Sequence, residues 1–575
     1  MTLKELRLKI GFTQNECAEF LGITTRSYQN YENDNNKINT QKYIIYYNQL
    51  EEYWNLNKSI SYIPKRNDFY TNVIVDKGLE PFISLIKKYK KRECYNILQK
   101  YIYGEYEGKV CILYGLRRTG KTTLLFQMIN ELPLDKTAYI KIQTTDTMAN
   151  LTKDLNFLNA LGYKYIFIDE ITLLEDFINT AAILSDVFSI MGMKIVLSGT
   201  NSLGFAVANR DELYDRNIMI HTSYISFKEY SYLLDINSID QYIEYGGTLK
   251  IENMSFDDPD SIIDEVSFRD DESTRKYIDT AISRNIQRTL KNDHYGEYFN
   301  QLREIYDKGE LTNVINRIVE NMNHNFLLKV IEEEFKSHDL GSAKNILLHE
   351  APDEKAYVLE NINKEKVLNT LKRIIDIKET YETTIKITQE HIDKIRKYLI
   401  LLDLIINIPV RYESGNMEEY YIFTQPGMRY SIAKALVYSL LQDQYFNSIS
   451  EYNKTYIINK ILEDVKGRML EDIVLLEVNK SLNQSKQAFK FKFDLGGEFD
   501  MIIYDKECNN CEVYEIKHSD KINNKQYRHL MDQEKCELIE KKYGDIIKKI
   551  VLYRGKDTVV DNIQYLNVEK YLKEL

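Results

Sequence analysis

Cysteine is too rare to hold this chain together. Six residues in 575 cannot build a disulfide framework, which points to a reducing environment. Long apolar runs are also missing. The longest, near 398–410, is broken by Asp403 and is too short to span a membrane. The opening MTLKELRLKI lacks the apolar core of a secretory signal, so the expectation is a cytoplasmic protein with no membrane partner. An excess of positive charge is absent too. A net charge of -11 excludes a basic binder of nucleic acid over its whole surface, and any such binding must come from local patches. Proline is down to 7 residues while tyrosine reaches 45, a bias that reads as an AT-rich genome rather than a role for tyrosine. The sequence holds no low-complexity tract and no repeat period.

What is present is length and hydrophobic material. At roughly 100–200 residues per domain, the chain makes three to five folded units, and 43% hydrophobic residues suffice for several cores. The expected order is helical at 1–54 and linking or helical at 55–100. An α/β ATPase sheet follows at 101–250, then a helical lid and winged helix at 251–459. A nuclease-like α/β domain occupies 460–575. The acidic stretch 252–272 reads as a surface insertion. The basic run 87–92 reads as a solvated helix face.

Residues 12–34 have helix-turn-helix spacing. Ala18, Phe20 and Leu21 offer an apolar face, Gly22 sits at the turn, Ile23 plugs the core, and Thr24 or Thr25 caps the next helix. That helix would present Thr25, Arg26, Ser27, Gln29 and Asn30 to bases or phosphates, and Gln14 could hold a phosphate. The segment resembles the Cro-like helix-turn-helix of phage repressors. Residues 1–54 carry six Lys/Arg against seven Asp/Glu, so phosphate attraction is weak. Contact with DNA and docking of a protein partner both stay open.

The strand-like run 109–114 leads into Gly115-Leu-Arg-Arg-Thr119-Gly120-Lys121-Thr122-Thr123, and a helix follows. Strand, G-x-x-x-x-G-K-T and helix make a phosphate-binding loop. The glycines let backbone N–H groups wrap phosphates at a helix N-terminus. Lys121 would reach the β- and γ-phosphates of ATP, and Thr122 would hold Mg²⁺. A second strand, 165–168, ends in Asp169 and Glu170, placed to bind Mg²⁺ and to orient or deprotonate the attacking water. A third, 194–198, brings Ser198 and Thr200 toward the γ-phosphate or the water, or uses them as loop caps. With the later SFKEY and YGG segments, the region resembles prokaryotic AAA+-like ATPases of the archaeal-ATPase type. The resemblance implies a homo-oligomer and puts Arg216 at the family's arginine position, as an arginine finger or a structural ion pair.

Near the end, Glu498-Phe499-Asp500 opens a strand and Glu515-Ile516-Lys517 closes the next. Residues two apart share a strand face, so Glu515 and Lys517 face the same way and Asp500 can join them. Asp500 and Glu515 would bind Mg²⁺ or Mn²⁺, and Lys517 would position water or stabilise charge on phosphate. Glu471 on an upstream helix reaches the same place. The constellation resembles the PD-(D/E)xK nuclease fold, and 95–517 resembles prokaryotic proteins joining such an ATPase to a winged helix and this nuclease-like fold. The winged helix would cover 387–432, its wing 413–421. Cys508-Asn-Asn-Cys511 reads as a hairpin turn rather than a zinc or redox motif. The expected activity is an ATP-gated, metal-dependent DNA nuclease in defence against phage or mobile DNA, the last by analogy of architecture. The rivals are a regulatory ATPase with an inactive nuclease-like docking domain, and an ATP-sensing transcriptional regulator.

Overall fold

A computed structural model describes residues 2–33, 40–56, 64–201, 204–205, 208, 212–249, 268, 271–287, 300–333, 368–375, 386–442 and 451–575. The acidic stretch 252–272 lies outside the described residues except for Phe268 and for Asp271 and Glu272, which open the helix Asp271–Tyr277. The chain divides into two compact units, 1–114 with 120–221 and 115–119 with 222–575. No helix among the described residues is long and apolar enough to cross a membrane.

The first unit begins with helices Leu3–Ile10, Gln14–Phe20, Thr25–Asn33 and Thr40–Leu56. Thr2 and Thr13 cap the first two, each answered by a glutamate three residues on, so two free N–H groups are satisfied at each start. Leu6, Ile10, Ala18, Leu21, Tyr28 and Leu50 form their core, with Ile23 packed against it. Thr24, not Thr25, caps the third helix by accepting from Ser27 N at 3.2 Å. Phe20 departs from the expected apolar face. Two residues turn a helix by about 200°, so Phe20 cannot share the buried side of Ala18. It is 43% exposed and lies against the rings of Phe12 and Tyr53.

Six strands follow: β1 (Asn72–Val75), β2 (Val110–Tyr114), β3 (Thr137–Lys141), β4 (Tyr165–Asp169), β5 (Lys194–Gly199) and β6 (Asn217–His221). Their order is β1-β3-β4-β5-β2-β6, parallel except for β1 against β3. Burial on both faces explains the continuous apolar runs of β2, β4 and β5. Strand β1 corrects the reading of 55–100 as linking or helical; its four residues are too few to show a period. The basic run 87–92 is likewise not a helix face. It has no apolar spacing to carry on the helix Glu80–Ile86, and it forms the connection to the helix Tyr95–Tyr103. Within it Lys91 pairs with Glu131 and Arg92 is buried.

The second unit holds an eight-stranded mixed sheet. Its strands are β7 (Ile405–Tyr412), β8 (Met417–Phe423), β9 (Lys486–Lys492), β10 (Glu498–Asp505), β11 (Asn510–Ile516), β12 (Asp545–Tyr553), β13 (Thr558–Val560) and β14 (Ile563–Asn567). The order is β13-β14-β12-β11-β10-β9-β7-β8. The long helix Glu451–Ser481 packs Val465, Met469 and Ile473 into a core with Met501, Tyr514 and Leu552. A second core gathers Phe489, Phe491, Phe499, Ile502, Val513 and Val551. The pairing of β10 with β9 shifts between Phe499 and Ile502, the mark of a bulge beside Lys490. Without it, Phe499 and Ile502, three apart, could not both reach the phenylalanine core.

The segment 387–432 forms the helix Gln389–Leu401, the hairpin β7–β8 and the helix Pro426–Ser439. The hairpin does not stand apart as a wing: β7 pairs in parallel with β9, so β7 and β8 extend the large sheet. Its outer end carries Glu413, Glu418 and Glu419, a poor surface for phosphates. Between β10 and β11, Asn509 takes a positive φ of 47°, as a hairpin turn requires. Cys508 is exposed and Cys511 buried, and both are free.

Adjacent acids on the long helix have different work. Asp472 is buried, pairs with Arg429 and accepts from Tyr420 at 2.8 and 3.0 Å. Removing one partner of a buried ion pair strands the other charge. Asp472→Ala should therefore cost the second unit about 3 kcal/mol or more, measured by urea unfolding, and Arg429→Met together with Asp472→Leu should recover much of that loss.

Candidate functional sites

The first site grows from β2 and its loop. Gly115 has φ 150°, and a Cβ there would stand 2.4 Å from Thr222 Oγ1, so only glycine fits. The segment 115–119 is held by its own unit. Leu116 N donates to Ser223 Oγ at 3.0 Å, Thr119 Oγ1 donates to Leu116 O at 2.9 Å and bonds Thr222 Oγ1 at 2.8 Å, and Leu249 N donates to Arg118 O at 2.8 Å. Gly120, with φ 84°, then leads into the helix Lys121–Ile129, which places Lys121, Thr122 and Thr123 in its first turn.

In the first unit, the carboxylate of Asp169 is the hub. Thr122 Oγ1 donates to its Oδ2 at 3.0 Å, Tyr139 OH at 2.8 Å and Lys141 Nζ at 2.9 Å, while Ser198 Oγ donates to its Oδ1. Burial pushes Asp169 up, but Lys141, Ser198 and Tyr139 outweigh it and hold it below the usual carboxylate range. Thr122 and Asp169 are hard oxygen donors side by side, a fit for Mg²⁺. Glu170 follows at a positive φ of 60° and accepts from Thr200 Oγ1 at 3.3 Å. Sequence reasoning missed Lys141 and Tyr139. Their signal was position: Lys141 pairs directly with Asp169 across β3 and β4. Arg216 is exposed and binds Asp186 at 2.9 Å, the ion-pair alternative.

The second site lies where β9, β10, β11 and the helix Glu451–Ser481 meet. A cavity of about 750 Å³ there is lined by Arg468, Glu471, Glu498, Asp500, Glu515 and Lys517, among others. Oxygens of Glu471, Glu498 and Asp500 lie within 4.8 Å of one another, a geometry that can hold a metal ion. Lys517 Nζ reaches Asp500 at 2.9 Å and Glu515 at 2.7 Å. Ile516 N donates to Asp500 at 2.7 Å. The expected set of Glu471, Asp500, Glu515 and Lys517 is thus brought together. The closest acid triad takes Glu498 in place of Glu515. Glu498 was overlooked, although E-F-D obeys the same two-residue rule as E-x-K.

Two buried cations complete this centre. Lys490 is 1% exposed and donates to Glu471 at 2.6 Å. Arg468 reaches Glu471 at 3.1 Å and Glu498 at 3.3 Å. Burial drives Glu471 up to about 7 against the pull of Lys490, and Glu515 up to about 8 against Lys517. Burial acts on Asp500 as well, yet Lys517, Lys490 and the Ile516 N–H keep it below the usual range. Glu515 is 3% exposed and its Oε1 is buried without a hydrogen-bond partner, and Oε2 of Glu498, also without a hydrogen bond, has Lys492 Nζ at 3.8 Å. Unsatisfied carboxylate oxygens on a polar cavity fit a hard cation. His518 also lines the cavity and is engaged with Asp240 at 2.7 Å.

On the helix-turn-helix, Arg26, Gln29 and Asn30 are exposed. Gln14 is tied down: its Nε2 donates to Glu32 at 2.6 Å and its Oε1 accepts from Gln29 at 3.1 Å. Thr25 donates to Asn15 at 2.7 Å. Gln14 therefore sits in a local network that also fixes Gln29, and Thr25 is held separately by Asn15.

Residues 107–231 match the family described as AAA domain, and residues 3–44 the one described as helix-turn-helix. The chain carries an ATPase-type AAA domain, which implies ATP, and an N-terminal helix-turn-helix module. An uncharacterized protein of Methanocaldococcus jannaschii is 28% identical over 179 residues, 30% of this chain and 39% of that relative. The match thus spans well under half of the relative's length. Among solved structures, C. elegans PCH-2 is similar at 15% identity over 34% of this chain and 56% of that one, with a TM-score of 0.18. The Aeropyrum pernix ORC1 protein, solved in complex with DNA, is similar at 14% identity over 62% and 91% of the two chains, with a TM-score of 0.20.

The raised acids of the second site make stability depend on pH. An acid whose folded pKa lies above its unfolded value binds more protons when folded, so stability falls as pH rises between the two values. For Glu471 and Glu515 that window runs from 4.5 to about 7 and about 8. With chelator present, the urea midpoint of the second unit should fall across this window. Glu515→Gln should flatten the upper part; an unchanged slope in that variant would contradict the assignment.

Proposed function

We propose that this protein hydrolyses ATP at the first site and cleaves DNA phosphodiesters at the second, with nucleotide state controlling cleavage. The observation that carries the reading is the convergence of Glu471, Glu498, Asp500, Glu515 and Lys517 on one cavity, with a carboxylate oxygen of Glu515 left unpartnered. At the first site Lys121 binds the β- and γ-phosphates, Gly115, Thr119, Gly120 and Thr123 line the loop around them, and Glu170, steadied by Thr200, orients the attacking water. Thr122 and Asp169 would hold Mg²⁺, and Lys141 keeps Asp169 ionised for it. At the second site Glu471, Glu498, Asp500 and Glu515 would hold Mg²⁺ or Mn²⁺, which when bound lowers the pKa of water and offsets charge on phosphate. Lys517 keeps Asp500 ionised and sets a positive charge beside the reacting phosphate.

The helix-turn-helix would bring DNA through Arg26, Gln29 and Asn30, with Gln14 and Thr25 holding the reading helix in place. Control by nucleotide is part of the proposal because an unregulated nuclease would attack the chromosome of its own cell. Assembly into a homo-oligomer is the proposed switch, and defence against phage or mobile DNA the proposed setting. A second reading, a regulatory ATPase whose nuclease-like domain only docks partners, is favoured by one observation. Lys490, Arg468 and Lys517 already neutralise much of the acid cluster.

The test is incubation with plasmid, linear and single-stranded DNA, with Mg²⁺ or Mn²⁺, with and without ATP. Lys121→Ala should lose nucleotide binding, and Glu170→Gln should bind ATP but turn it over at least about a hundredfold more slowly. Asp500→Ala should abolish cleavage and leave ATP hydrolysis intact; cleavage that survives it removes the nuclease assignment. Lys121→Ala should also change cleavage, and equal rates would remove the coupling alone. Arg26→Ala with Gln29→Ala should weaken binding to a preferred sequence by about 1–3 kcal/mol per lost base contact. Unchanged affinity after deleting residues 1–54 would assign that module to protein docking.

A further inference from the structure

We propose that Arg468 is a resident cation that occupies the metal position of the second site and must move aside, toward Glu333, when a divalent ion binds. The inference rests on the metal-dependent reading of that site.

The guanidinium of Arg468 bridges the two carboxylates that a metal would need. Its Nη1 stands 3.1 Å from Glu471 Oε2 and 3.3 Å from Glu498 Oε1. Those residues, with Asp500, are the ones whose oxygens crowd within 4.8 Å. The side chain is 5% exposed, so its charge is little screened by water. A divalent ion and a guanidinium cannot share the same pair of carboxylates at this range without strong repulsion. Lys490 is a different case. It lies on β9, 1% exposed, and it touches Glu471 alone of the triad. It can stay and lower the net charge of the cluster.

Arg468 has somewhere to go. Its Nη2 already lies 3.6 Å from Glu333 Oε2, at the end of the helix Leu311–Glu333. Glu333 is about a third exposed and is also approached by Lys492 at 3.5 Å. A small rotation toward Glu333 keeps the guanidinium paired while it releases Glu471 and Glu498. In the metal-free protein the same guanidinium offsets the repulsion among the buried acids, so the site keeps its shape before the ion arrives. Arg468 is in this sense a positioning residue with two seats.

The test is Mn²⁺ binding, followed by titration calorimetry and by the electron paramagnetic resonance signal of free Mn²⁺, on the full chain without nucleotide. Asp500→Asn marks the site by losing it. Arg468→Met removes the competitor and should bind Mn²⁺ about tenfold more tightly than the wild type. Its melting temperature should drop without metal and rise on Mn²⁺ addition by more than that of the wild type. Glu333→Gln, at a partly exposed position, removes the charge of the second seat and should weaken Mn²⁺ several-fold. Equal affinity in wild type, Arg468→Met and Glu333→Gln overturns the displacement and leaves the metal site standing. Mn²⁺ binding that Asp500→Asn does not reduce, or no binding in any variant, overturns the metal reading and this inference together.

Discussion

Repulsion among buried carboxylates is the constraint on which the second unit is organised. Glu471, Glu498, Asp500 and Glu515 come from a helix and two strands and meet in one cavity. Ionised acids at this range cannot be buried alone. The chain answers with Lys490 from β9, Lys517 from the end of β11 and Arg468 from the helix itself. The bulge in β10 beside Lys490 lets the strand keep Phe499 and Ile502 in the core while Asp500 remains in the cluster. Even so, the balance is incomplete, and Glu471 and Glu515 keep their protons to higher pH than an ordinary carboxylate.

The first unit solves a smaller version of the same problem. One acid, Asp169, stands at the end of a buried strand and collects donors from four directions. Three of the donors come from neutral hydroxyls and one from Lys141. The difference matters for chemistry. One lysine and three hydroxyls keep the buried Asp169 ionised, whereas the crowded cluster of the second unit titrates as a coupled group.

The sequence made some of this legible and concealed the rest for physical reasons. The phosphate loop was readable because covalent spacing alone sets it: strand, Gly115, Gly120, Lys121 and helix follow one another without a gap. Glu515 and Lys517 were readable because a strand's period of two is rigid. Lys141, Lys490 and Arg468 were not, since a lysine or arginine in a pattern of charges looks solvated until neighbouring strands are placed. Lys490 sits between Phe489 and Phe491 on a buried strand, and that company was the one local sign that it is not a surface residue. Strand β1 was hidden by its length, and the sheet role of β7–β8 by its distance along the chain, since nothing near residue 410 announces a partner near residue 490.

That long-range pairing of β7 with β9 sets what can be cut from what. A fragment beginning at 460, where the nuclease-like region was expected to start, would keep β9 and lose the strand that pairs with its last three residues, Lys490 to Lys492. The exposed row would run along alternating lysines and phenylalanines, a template for association with other chains. The hairpin is thus a protective cover as much as an extension. The smallest piece of this half able to stay monomeric has to include it, and an evolutionary shuffling event that moved the cavity to another protein would have to carry residues 405–423 with it.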